Sequence, residues 1–165
     1  MPSYAQFDTW QNTAGVNYNS VIQMVTSGER YFSTTLTSST LSDTGFNISI
    51  TPKFATSKVL ILASLMTHNS SGATGGGFKT AILRNIGGGG YTTIWGTQGN
   101  LAGWYIDTNN QNLHFPYHYH VVDSPATTSI CNYKVQGAPY INSQQWDFGN
   151  GSNYPMSLTA LEIAQ

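Results

Sequence analysis

The stretch Thr44–Met66 sets what this chain can fold into. Phe46, Ile48 and Ile50 alternate with Asn47, Ser49 and Thr51, a period of two that turns one face of a strand to a core and the other to water. Pro52 cannot donate to a ladder and restricts Thr51 before it, so the strand ends there and a short polar connection follows. Val59, Leu60, Ile61 and Leu62 then run without a polar break. A run so short and so rich in strand formers predicts a central strand covered on both faces, with the other strands packed around it.

The rest of the chain follows the same logic. Strands are expected at 20–25, 31–36, 78–83, 91–95, 101–106, 113–122, 129–136 and 157–164, with no helical period between them. Pro116 inside the 113–122 segment marks an edge or a bulge. Residues 107–112 read as a turn, Gly87–Gly90 as a flexible or tight loop, and 138–155 as a long loop. Many short strands at regular spacing predict an all-β fold, a jelly-roll-like antiparallel β-sandwich. Residues 1–18 show no sustained period and read as an extended N-terminal arm, with 19–165 as a single sandwich domain. Tyr4, Phe7 and Trp10 on that arm are candidates for contact with a neighbouring chain or a larger assembly, or they cover the end of their own sandwich.

Thr44-Gly45-Phe46-Asn47-Ile48-Ser49-Ile50-Thr51-Pro52, followed by Ser57-Lys58-Val59-Leu60, resembles a motif of tail-fibre-like and virion-surface structural proteins of tailed bacteriophages, including those of aquatic bacteria and cyanobacteria. The segments 122–136, 158–163 and 10–25 are similar to the same group. The resemblance implies a virion structural protein made in the host bacterial cytoplasm, closing as a homotrimer and meeting other virion proteins. It implies a tail-fibre or receptor-binding module, with capsid decoration as the alternative.

Charge narrows the partners. Charged residues make up 8% of the 165 residues and the formal net charge is -1, whereas Ser, Thr, Asn and Gln number 60. A neutral polar surface repels its own kind weakly, which favours self-association. The six basic residues, Arg30, Lys53, Lys58, Lys79, Arg84 and Lys134, stand singly, so the clustered phosphate neutralisation of a nucleic-acid site is missing. The longest unbroken apolar run is Val59–Ala63, and no charged region with a following apolar stretch opens the chain; neither a signal peptide nor membrane insertion is expected. Cys131 is the one cysteine and alternates with Tyr133 and Val135, as a buried small hydrophobe does.

Chemistry-bearing motifs are few. Gly72–Thr80 resembles a phosphate loop in composition, but Phe78 separates Gly77 from Lys79 and a strand follows where a helix is required. No nucleophile elbow is present, and Asp107 and Asp123, which flank the histidine strand, lack any reason to pair. The chain reads as a non-enzyme with no cofactor. His118 and His120 sit at i and i+2, which puts two imidazoles on one strand face and makes them candidates to hold a transition metal on an oligomer axis. His114 shares their parity, and the plainer alternative is a hydrated polar face. Trp95, Trp104, Tyr105, Tyr140, Trp146 and Tyr154 lie in or beside loops rich in Asn, Gln and Gly. Flat rings beside amides are what a host-surface glycan needs, although each ring could instead serve packing.

Overall fold

A computed structural model describes residues 10–11, 17–18, 20–28, 31, 33–69, 74–96, 105–109, 113–149, 151 and 154–165. Thirteen strands are present among them: β1 (Trp10–Gln11), β2 (Asn17–Tyr18), β3 (Val21–Thr26), β4 (Ser33–Leu36), β5 (Ser42–Ile50), β6 (Lys58–Asn69), β7 (Thr74–Ile86), β8 (Thr92–Trp95), β9 (Tyr105–Asn109), β10 (Leu113–Asp123), β11 (Cys131–Pro139), β12 (Trp146–Gly149) and β13 (Ser157–Ile163).

Two antiparallel sheets face one another. In the first, β6 pairs with β10 along one side and with β13 and then β12 along the other, and these reach β3 and β4 respectively. In the second, β11 lies between β5 and β7, and β7 carries β8 and β9. Consider the eight main strands in chain order: β3, β5, β6, β7, the β8/β9 pair, β10, β11 and β13. The first, eighth, third and sixth form one sheet, and the second, seventh, fourth and fifth form the other. That order is the double Greek key of a jelly roll, as the alternation in the sequence predicts. Among the described residues of the N-terminal arm, β1 and β2 pair antiparallel with each other.

Alternation places the core. Phe46, Ile48 and Ile50 from β5, Val59, Ile61, Ala63 and Leu65 from β6, and Cys131, Tyr133 and Val135 from β11 all point between the sheets and are buried. Burial pushes the Cys131 thiol up and keeps it protonated, so it packs as a small hydrophobe. At one end of this layer Trp146, Phe78, Phe148, Phe46 and Phe115 form a chain of ring contacts at 5.8–6.2 Å. Gly137 in β11 belongs to that packing, since a Cβ there would strike the Phe78 ring and Leu36.

Two buried polar groups tie elements together. Asp123 accepts two hydrogen bonds from Arg84 Nη1, at 2.7 and 2.8 Å, and a third from the Tyr133 hydroxyl at 2.8 Å. The carboxylate comes from the first sheet and both partners from the second, so one ion pair with a hydroxyl joins the layers. Glu162, with no exposed surface, accepts the Lys53 and Phe54 backbone N–H groups at 2.7 and 3.2 Å and the Gln23 side-chain amide. It therefore fixes the β5–β6 connection that Pro52 begins.

Two local expectations change, and two that left alternatives open are resolved. The 138–155 segment is not one loop, because β12 occupies Trp146–Gly149 and pairs with β4 and β6. Residues 107–109 are strand, not turn. Gly87–Gly90 is an ordered turn: the Asn85 side chain accepts from Gly88 N–H at 3.0 Å and donates to the Gly89 carbonyl, and Gly87 N–H reaches Ile130 O at 2.9 Å. Pro116 sits in β10 without a register shift opposite Met66, and β10 pairs only with β6 among the described residues, so its missing donor disrupts no ladder.

Candidate functional site

The outer face of the first sheet holds the histidines. In β10, Phe115, Tyr117, Tyr119 and Val121 turn inward, which leaves His114, Pro116, His118, His120 and Val122 outward. His118 lies opposite Ser64, itself opposite Ser157; His120 lies opposite Leu62, itself opposite Thr159. Together these side chains line a shallow depression of about 420 Å³. Both imidazoles are exposed on one face, as their spacing predicts. No third His, Cys, Asp or Glu joins them in a metal-holding group among the described residues. A chain alone therefore offers two nitrogens, and a closed transition-metal site would need further ligands from neighbouring copies.

His114 is drawn into a separate row farther down the same face. Its ring stacks on His68 at 4.3 Å with 5° between planes, and Tyr154 leans on its other side at 4.9 Å. His68 Nδ1 lies 3.4 Å from Asp147 Oδ2, while the Thr35 hydroxyl donates to Asp147 Oδ1 at 2.6 Å. Burial, reinforced by the neighbouring His68, lowers the His114 pKa below the ordinary imidazole value. A base with a lowered folded pKa binds fewer protons folded than unfolded, so its contribution to stability is present above the usual value of about 6.5 and lost as pH falls through the folded value. The melting temperature should therefore drop between pH 7.5 and 5. In His114→Phe that part of the drop should shrink; identical pH profiles for the two proteins would contradict the assignment.

The predicted aromatic set is divided by the fold. Trp146 has no exposed surface and is a core residue, because β12 lies between β6 and β4 in the first sheet where a loop was expected. Trp95 is half-buried and stacks on Tyr119 at 4.6 Å, and Tyr154 is occupied with His114. Tyr105 lies in β9, while Trp104, Tyr4 and Phe7 lie outside the described residues. Trp10 belongs to β1, opposite Tyr18. Tyr140 alone of the described set stands at a loop tip, 40% exposed, with Ile141 beside it at 43%.

That tip is firmly held. Tyr140 N–H donates to Gly77 O at 2.7 Å, Ser143 N–H to Thr37 O at 3.0 Å, and Ser39 N–H to Asn142 Oδ1 at 2.7 Å. Beneath it the Lys79 ammonium, whose pKa burial lowers, donates to Ser39 O. Two loops are thereby joined, and they present a phenol ring, an amide and hydroxyls on a fixed backbone. The signal in the sequence was weak: Tyr140 is one of ten tyrosines, and only the two-loop contact separates it from the others.

No protein family matches the sequence, and no curated protein does. Among solved structures, the chain is similar to one in the structure of the infectious bursal disease virus Gt strain (13% identity, TM-score 0.45, covering 100% of this chain and 43% of that one). It is similar also to a chain of the T13 particle of that virus (10%, 0.46, 99% and 41%) and to its VP2 subviral particle (14%, 0.41, 99% and 44%). The chain spans less than half the length of each of these proteins.

Proposed function

We propose that this chain is a virion structural protein that assembles with copies of itself, and that it serves as a fibre-type, receptor-binding module meeting a host-surface glycan. The observation that carries the finer reading is the tip at 140–143, where Tyr140 stands exposed beside Asn142 and Ser143 on hydrogen-bonded backbone. Saccharide C–H faces stack on such a ring while hydroxyls take amide and hydroxyl partners. A surface with 8% charged residues meets glycans with little dependence on salt. Symmetric closure as a trimer is the expected order. In that arrangement, His118 and His120 from each copy are the residues that would hold an axial transition metal.

Added in excess, the purified protein should block adsorption of the parent particle to host cells, and Tyr140→Ala, folded to the same melting temperature, should block it far less. Unchanged adsorption with both proteins contradicts the receptor reading. A second reading, capsid decoration, is favoured by the burial of Trp146 and the covering of Trp95, which leave fewer rings for a ligand.

A further inference from the structure

We infer that the outer face of the first sheet is the surface on which a second copy of this chain packs. This deepens the self-assembly reading above and rests on it. The unbroken run Val59–Ala63 asks for cover on both faces, yet in β6 burial alternates: Val59 and Ile61 are sealed inside, while Leu62 on the other side is 41% exposed. The exposure is not isolated. Val122, Leu60, Leu161 and Met24 are aligned across β10, β6, β13 and β3 as successive cross-strand partners. Val122 is 56% and Met24 63% exposed, and Leu60 and Leu161 between them are half-buried.

The second sheet shows what a water-facing surface of this protein looks like. There Ser49 bonds Asn132, Asn132 bonds Asn85, and Lys134 and Gln136 both bond Asp43. Its outward positions are laced laterally by polar groups, as is the Thr35–Asp147–His68 end of the first sheet, whereas the row through Leu60 offers apolar side chains at the same kind of position. An apolar band across four strands is a feature of an interface, not of solvated surface.

Charge and area favour a like chain as the occupant. From the row of Lys58 to the row of Ser64 the face carries one lysine, no carboxylate and the His118/His120 pair, so two copies meet without strong repulsion. Four strands at about 4.8 Å and seven residues at about 3.3 Å give a plane of roughly 19 by 23 Å. That is roughly 440 Å² of sheet plane per copy before the relief of its side chains is added, a substantial part of the roughly 800 Å² that each partner contributes to a stable interface.

Sedimentation velocity across nanomolar to micromolar concentration tests the inference, on the full chain and on Met24→Lys/Val122→Lys. Both positions are well exposed, so the variant should keep its fold by circular dichroism, and Leu62→Gln provides a second, uncharged probe should it not. The wild type should sediment as an oligomer, and the double variant should dissociate at least roughly 100-fold more readily, because two lysines per copy would be driven into an apolar contact. Ser49→Lys on the second sheet should leave assembly unchanged. A wild-type oligomer that survives every first-sheet substitution overturns this surface but leaves the self-assembly reading intact; a wild type that is monomeric throughout overturns both, and cover by its own N-terminal residues or by another virion protein then takes its place.

Discussion

Asp123→Ala should be the most damaging single polar substitution in the chain, costing about 3–5 kcal/mol. The side chain is 7% exposed and holds Arg84 and the Tyr133 hydroxyl from the opposite sheet at 2.7–2.8 Å. Its removal strands a guanidinium and a phenol between the layers, and the penalty of leaving them unpaired exceeds what the intact network contributes. For a chain of this size the melting temperature should fall by roughly 10 °C or more. Adding Arg84→Met to Asp123→Ala should recover part of the loss, since a buried pair removed together costs less than one broken. Thermal denaturation of the two variants decides it: an equal or greater loss in the double variant would contradict the expected recovery.

Trp146→Ala should cost a similar amount, about 3–5 kcal/mol, through the cavity it leaves among Phe78, Phe115 and their neighbours. Tyr140→Ala, by contrast, truncates an exposed ring and should change stability by no more than about 0.5 kcal/mol. The two residues look alike in the sequence, each an aromatic in a segment rich in Asn, Ser and Gln. Denaturant unfolding separates them: a large shift in midpoint for Trp146→Ala and almost none for Tyr140→Ala. The opposite order would mean that the core and the tip have been exchanged.

That contrast shows what the sequence could carry. Alternation in β5 and β11 named inward residues correctly, since Phe46, Ile48, Ile50, Cys131, Tyr133 and Val135 are all buried. Period two is a local property, and a half-buried strand expresses it directly. β12 escaped notice because four residues, Trp146–Gly149, are too few to show a period, and their pairing partners β4 and β6 lie far away in the chain. The run Val59–Ala63 misled in the opposite sense: it predicts a strand covered twice, and the described residues cover it once. Side-chain networks were illegible for a different reason. Asp123 and Arg84 are 39 residues apart, and only the packing of the two sheets brings them together. The histidine pair kept its predicted face, but the sequence could not show that His114, on the same face, would stack with His68 and Tyr154 instead.

Cryo-electron microscopy of the intact parent particle tests the central claim most directly. A virion-surface module of fibre type predicts density for this jelly roll in symmetric clusters of like chains at a tail appendage, with the 140–143 tips turned outward. Regular occupancy of capsid symmetry positions would contradict the fibre reading in favour of decoration, and a particle carrying no density for the fold would contradict a virion role altogether.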